Sequence, residues 1–253
     1  MSDLPHRRRY KLLFIVLLIL CLVLSAVVIA AQRKDDPEPC IGGDLPFSVL
    51  ILGDSQMAGA GWEGGYANCI SEIYPNAQVV NLAQNGSCLA NGDIQAQWEF
   101  YLSEASAMPD FVLLDGGIND LPYLQKEEFK DTGMPLVEEA LCSLIEQIHE
   151  ANPDTRILYT LMPPLAEWKD SDNGPPSYDI QERYWKELNI IASAYDYVTV
   201  LDLFSVNPFH YPCADCYREN LADSIHLSEA GYWKTFEYIN NALVPHLAMQ
   251  LDE

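Results

Sequence analysis

Residues 47–56 read FSVLILGDSQ: an apolar run from Phe47 to Leu52, then a polar turn opening at Gly53. A short, continuous apolar run bounded by glycine suits a strand buried on both faces, as in a parallel sheet. Four other stretches repeat the pattern: Gln78–Leu82 (QVVNL), Phe111–Leu114 (FVLL), Arg156–Met162 (RILYTLM) and Val198–Leu203 (VTVLDL). Helical patterns lie between them. Val137, Ala140, Leu141, Leu144, Ile145 and Ile148 fall on one face of a helix ending near Asn152-Pro153. Ile180–Tyr195 forms another helix, and Ser228 to about Ala248 closes the chain. This strand–helix alternation predicts a three-layer α/β/α sandwich around a parallel five-stranded sheet. The longer loops, Leu121–Gly133 and Pro163–Tyr178, are rich in Pro, Gly and Asp, and no internal repeat is visible.

The chain has 253 residues, 49% of them apolar and 11% aromatic, which suits a folded domain and not a disordered one. Charge is unevenly placed. Of the 14 Lys and Arg, six precede Asp35 (Arg7, Arg8, Arg9, Lys11, Arg33 and Lys34); of the 37 Asp and Glu, only Asp3 does. A domain that acidic repels phosphate backbones, which excludes nucleic acid as a partner. It reads as a solvated surface; the sharper alternative is a field that attracts cationic substrates.

Leu12 to Ala31 carries no charge, and only Ser25 interrupts its apolar character. As a helix it would span roughly 30 Å, the hydrocarbon thickness of a bilayer. The basic residues before it predict a cytoplasmic N-terminus. The organisation expected is a basic cytoplasmic tail (1–11), a transmembrane signal-anchor helix (12–31), a linker (32–45) and an extracytoplasmic catalytic domain (46–253). A secreted form remains open, since Val28-Ile29-Ala30 is an acceptable signal-peptide cleavage site, although the apolar stretch exceeds a usual signal core. Cys21, preceded by Leu20, reads as an apolar membrane residue.

Six cysteines follow the apolar stretch: Cys40, Cys69, Cys88, Cys142, Cys213 and Cys216. An even number in an oxidising compartment favours disulfides, though sequence does not choose the pairing. At least one bridge is expected, with Cys213 or Cys216 the leading partners. Cys213-Ala-Asp-Cys216 with His210 could instead hold a metal, and Cys142 sits in a helix stripe as a candidate free thiol.

Polar residues cluster where ligands bind in such sheets, beyond the carboxyl ends of the strands. Gly53-Asp54-Ser55-Gln56 follows the first strand, Asn85-Gly86-Ser87 the second and Gly117-Ile118-Asn119-Asp120 the third; Asp223-Ser224-Ile225-His226 precedes the last helix. Each alone marks a turn, a cap or a surface histidine. Together, in order, they have the logic of acyl transfer. The Ser55 hydroxyl becomes nucleophilic when His226 takes its proton, and Asp223 can orient the imidazole. The oxyanion formed on attack needs preorganised donors, which the backbone N–H groups of Ser55 and Gly86 and the Asn119 amide can supply. Trp62, Tyr123, Trp168, Phe209 and Tyr211 are candidate pocket-lining aromatics.

From Phe47 to Val244 the chain resembles the SGNH (GDSL-type) hydrolase family. Gly53-Asp54-Ser55 with Met57-Ala58-Gly59-Ala60-Gly61-Trp62 is similar to its first block, and Asn81-Leu82-Ala83-Gln84-Asn85-Gly86 to its second. Gly117-Ile118-Asn119-Asp120 is similar to the third and Asp223-Ser224-Ile225-His226-Leu227-Ser228 to the last. The resemblance implies a flavodoxin-like fold, cofactor-free hydrolysis of esters or thioesters, Ser55, Asp223 and His226 as catalytic residues, and Ser55, Gly86 and Asn119 as the oxyanion hole. Three departures stand out. Gln56 replaces the usual Leu, which should affect packing more than chemistry; Ala83 replaces a frequent glycine; and 210–220, with its Cys pair, looks like an insertion. Asn85-Gly86-Ser87 also matches a glycosylation sequon, but modification there would block the oxyanion glycine.

The expected function is serine-dependent hydrolysis of carboxylic esters outside the cytoplasm, on a small ester, a lipid or an acylated glycan. An O-acyltransferase acting on envelope polysaccharide would use the same site, and a non-catalytic surface-binding domain would use only the fold. The orientation is testable: protease added to intact cells should digest the domain beyond residue 35, and digestion seen only after lysis would overturn it.

Overall fold

The computed structural model describes residues 45–121, 133–165, 178–223 and 225–250. They belong to one unit, Ile41–Glu253. The expected membrane anchor at 12–31, Cys40, Tyr123 and Trp168 lie outside the described residues. No helix among the described residues is long and apolar enough to cross a membrane.

Five strands form one sheet: β1 (Ser48–Leu52), β2 (Gln78–Asn81), β3 (Phe111–Asp115), β4 (Arg156–Leu161) and β5 (Val198–Asp202). Their order is β2-β1-β3-β4-β5 and every pairing is parallel, with Leu50 opposite Val80 and Val112. This is the flavodoxin-like doubly wound order, whose reversal beside β1 opens a crevice at the carboxyl ends of β1 and β3. All five strands lie where the apolar runs place them. The expectation of burial on both faces holds for β1, β3 and β4 but not at the edges. Val80 of β2 is 42% exposed, and β5 is mostly half-buried, because an edge strand has a neighbour on one side only.

Alternation along the strands divides the core into two layers. Leu50, Leu52, Val112, Leu114, Ile157, Tyr159 and Leu161 pack with α3 (Asp93–Glu104), α4 (Gly133–Ala151) and α5 (Tyr178–Ala192). The expected stripe on α4 is realised: Val137, Leu141, Leu144, Ile145 and Ile148 are buried, Ala140 is partly so, and Cys142 is a half-buried free thiol. On the opposite side α2 (Gly65–Ile73) packs against the closing helix α8 (Glu229–Gln250), joined by an edge-to-face contact of Tyr66 with Tyr232. Phe111 of β3 meets His246 of α8 on this side.

Short helices fill the loops at the carboxyl edge: α1 (Ser55–Ala58), α6 (Leu203–Val206) and α7 (Ala214–Asn220). Truncating a core side chain of α4 removes contacts that the parallel sheet cannot replace. Leu144→Ala should therefore lower unfolding free energy by about 2–5 kcal/mol in denaturant titrations; an unchanged midpoint would contradict this packing.

Candidate active site

β1 ends in a turn only glycine fits well. Gly53 has φ 149°, and a Cβ there would lie 2.9 Å from both the Asp115 carbonyl oxygen and the Met57 side chain. The peptide groups of Gly53 sit in the core: Gln97 of α3 accepts from Gly53 N and donates to Gly53 O, each at 2.9 Å, and Gln84 N also donates to Gly53 O at 3.1 Å. Asp54 then caps α1, its Oδ1 accepting from Gln56 N at 2.9 Å. Ser55 emerges as the first residue of α1, 7% exposed at the carboxyl edge of the sheet.

The 223–226 loop is organised by Asp223. Its Oδ1 accepts from the backbone N–H of Ile225 (2.7 Å) and His226 (2.8 Å), while Oδ2 lies 2.7 Å from His226 Nδ1. A bond from Ala222 N to His226 O and an antiparallel bridge between Leu221 and Leu227 close the loop. On the far side of the imidazole, Nε2 lies 3.0 Å from Ser55 Oγ. Gly61 makes this approach possible, since a Cβ there would collide with the Leu227 carbonyl and press on the His226 side chain. The structure thus brings Ser55, His226 and Asp223 into one hydrogen-bonded line.

The loops that carry the third and second blocks are bonded to each other. Asn119 Nδ2 donates to Ser87 O at 3.0 Å. Asp120 accepts from Leu89 N and Ala90 N, both at 2.9 Å, and Gln97 Nε2 also donates to Ser87 Oγ at 3.1 Å. Gly86, at φ 82°, stands exposed with nothing within 4 Å of a Cβ placed on it. A cleft of about 460 Å³ opens there, between Gln84, Asn85, Gly86 and the α3 residues Gln97 and Phe100.

Two acids that act on His226 have opposite electrostatics. Burial raises the Asp223 carboxyl, but hydrogen bonds from the His226 ring and from the backbone of His226 and Ile225 outweigh it, so the net shift is downward. Asp54 is fully buried, and burial pushes it up to about 7; the charge of Asp120 adds to this, against the Gln56 N–H and His226. Asp115 is raised by burial and by the charge of Asp54, against the Gly116 backbone N–H, which lowers it.

The expected pocket aromatics among the described residues pack on other rings. Phe209 is 1% exposed and packs edge-to-face on Tyr217, with Lys234 Nζ 5.9 Å from its ring centre. It is a core anchor of the carboxyl-edge loops, not a pocket wall. Tyr211 stacks on Tyr178, and Trp62 leans on Tyr232 and Trp233 of α8. Cys213 and Cys216 form a disulfide, so neither offers a thiolate to a metal beside His210. Cys69 and Cys88 are free and buried, and burial pushes both thiols up to about 12, which keeps them unreactive. Sequence reasoning missed Gln97. Its helix mixes polar and apolar residues evenly, and nothing local marks a glutamine as the partner of a glycine 44 residues away.

The model of the GDSL-like lipase/acylhydrolase family matches residues 51–234. The chain belongs to that family. Solved structures share its fold at low identity. A lipase/acylhydrolase from Enterococcus faecalis is 19% identical over 79% of this chain and 96% of its own, with a TM-score of 0.59. The acetyl xylan esterase AlAXEase is 19% identical over 76% and 96%, with a TM-score of 0.56. Esterase EstA from Pseudoalteromonas sp. is 16% identical over 79% and 98%, with a TM-score of 0.54. A search of curated proteins found no match. Membership makes the chain a GDSL-type hydrolase, and the four motif blocks of the sequence fall within or beside the matched span.

The raised Asp54 has a consequence for stability. An acid whose folded pKa exceeds its unfolded value takes up a proton on folding, so stability is greatest below the unfolded value and declines as pH rises through the folded one. For Asp54 that window runs from 3.8 to about 7. Asp54→Asn keeps an oxygen for Gln56 N and cannot ionise. Its melting temperature should gain on wild type as pH rises through this window; a constant difference would refute an ionisation penalty at Asp54.

Proposed function

We propose that the protein is a serine esterase that cleaves acyl or acetyl esters on the outer side of the membrane, with Ser55 as nucleophile, His226 as base and Asp223 as its orienting acid. The observation that carries this reading is the line Ser55 Oγ···His226 Nε2···Asp223, at 3.0 and 2.7 Å. In the first step His226 Nε2 accepts the Ser55 proton as Oγ attacks the ester carbonyl. The depressed Asp223 carboxylate stays ionised, fixes the ring with Nδ1–H toward itself and stabilises the imidazolium that forms. The tetrahedral oxyanion is met by the backbone N–H groups of Ser55 and Gly86 and by the Asn119 amide, which its bond to Ser87 O holds beside that loop. The imidazolium then returns the proton to the leaving alcohol. A water deprotonated by His226 releases the acid and restores Ser55.

The cleft beside Gly86 adjoins the loop assigned to the oxyanion hole, is lined by Gln84, Asn85 and Gln97 together with Leu82, Ala96 and Phe100, and is large enough for a small acyl group or a sugar ring. An acetylated glycan or a short-chain ester fits that description. The basic flank and apolar run before residue 35 support an external, anchored domain, and the Cys213–Cys216 disulfide suits an oxidising compartment.

The test is steady-state hydrolysis of p-nitrophenyl acetate, longer acyl esters and acetylated glycans by the full chain and four variants. Ser55→Ala and His226→Ala should each lose about 10³-fold or more in kcat, because the members act as a unit. Asp223→Ala should lose less, since it neither attacks nor transfers a proton. Asn119→Ala should lose about 10²–10³-fold. A folded Ser55→Ala with wild-type turnover would refute the assignment.

A further inference from the structure

Gln56 stands where the family motif has leucine, and an apolar side chain there would only pack. The glutamine is fully buried and makes polar contacts throughout. Its Nε2 donates to Ile225 O at 2.6 Å, and its Oε1 accepts from Leu227 N at 3.4 Å. Ile225 and Leu227 are the two neighbours of His226. One planar amide therefore grips the backbone on both sides of the histidine, from the residue immediately after Ser55. The Gln56 backbone is equally fixed: its N–H is taken by Asp54, and its carbonyl accepts from Tyr232 OH at 2.6 Å, which docks α8 on the same turn.

The other hydrogen bonds that shape the histidine loop are local. Asp223, Ala222 and the Leu221–Leu227 bridge set its internal shape but do not place it against Ser55. Among the described residues, the side-chain hydrogen bonds between the Ser55 turn and residues 225–227 are that of His226 Nε2 with Ser55 Oγ and the two made by Gln56. The first involves the reacting groups, so it cannot hold its own geometry through a catalytic cycle in which the proton moves.

We propose that Gln56 is a positioning residue whose side-chain amide, bridging Ile225 O and Leu227 N, holds His226 at hydrogen-bond distance from Ser55. The proposal rests on Ser55 and His226 being the reacting pair. A leucine or methionine at 56 fills the volume but leaves the Ile225 carbonyl and the Leu227 N–H without that partner. The histidine loop then relaxes by some fraction of an ångström, and displacements of that order lower turnover steeply while leaving substrate binding almost untouched.

The experiment compares Gln56→Met and Gln56→Glu with wild type and Ser55→Ala, as full chains purified in detergent, on p-nitrophenyl acetate across pH. Gln56→Met should lose about 10- to 100-fold in kcat with KM within about twofold. Gln56→Glu is the informative variant. As the neutral acid it reproduces both contacts, O–H to Ile225 O and an acceptor for Leu227 N; as the anion it has no donor. Its kcat should therefore exceed that of Gln56→Met at the acidic end of the profile and fall at higher pH, where wild type is level. Thermal melts report the folded fraction of each variant. With Ser55→Ala inactive, the proposal is overturned if Gln56→Met keeps kcat within about threefold of wild type. It is equally overturned if the two Gln56 variants match at every pH, or if lost activity only tracks lost folded protein. Wild-type turnover by Ser55→Ala is a different result, and it would remove the serine-esterase reading itself.

Discussion

A serine and a histidine 171 residues apart must meet within 3.0 Å at one edge of a sheet, and most of the local structure follows from that demand. β1 delivers the serine and the segment before α8 delivers the histidine, so both chains must turn tightly where they leave the core. At the first turn the backbone reverses at Gly53 in a conformation that side chains resist, and its buried peptide groups would be costly without partners. Gln97 answers both with one amide. At the second, Asp223 collects the N–H groups of its own loop and turns its remaining oxygen to the imidazole. Gly61 gives up a side chain so that the two segments can touch.

The same economy appears in the loop after β2. Asn119 and Asp120, adjacent in sequence after β3, take hold of that loop at Ser87 and at Leu89 and Ala90. The strand order explains why the two loops meet. β1 lies between β2 and β3, so the loops leaving β2 and β3 flank the loop that carries Ser55. A loop pinned at Ser87, Leu89 and Ala90 keeps Gly86 at the edge of the cleft without any side chain of its own.

Much of this was legible in the sequence because the relevant signals are local. Parallel strands are continuous apolar runs, and all five were readable, with ends shifted by a residue at most. The four motif blocks were readable because residues that must end a strand and start a turn are Gly, Asp, Ser and Asn. What escaped was set by distant partners. The exposure of Val80 depends on β2 lying at the edge, which the strand order decides and the run QVVN does not reveal. Phe209 lies in a stretch rich in Pro and aromatic residues, where a buried anchor and a pocket wall look alike. Gln56 was legible as a departure from the family motif, yet its role was not, since its partners lie near the other end of the domain.

Asp223 and Asp54 sit in contrasting environments near His226, and only Asp223 is hydrogen-bonded to the imidazole. Both carboxyls act electrostatically on His226, and each is bonded within its own tight turn. Asp223 has three N–H donors arranged around it and half of its side chain in solvent, so the anion is the favoured form. Asp54 has one donor on Oδ1, no hydrogen-bond partner on Oδ2 among the described residues, and two other acids, Asp115 and Asp120, acting within its electrostatic reach. Burial and like charge both favour its neutral form. Environments that push two carboxyls in opposite directions separate their roles. Below about pH 7 the protonated Asp54 caps the Ser55 turn without adding a second full anion near His226. The ionised one lies 2.7 Å from His226 Nδ1, where, in the mechanism proposed, a full negative charge would lower the cost of forming the imidazolium.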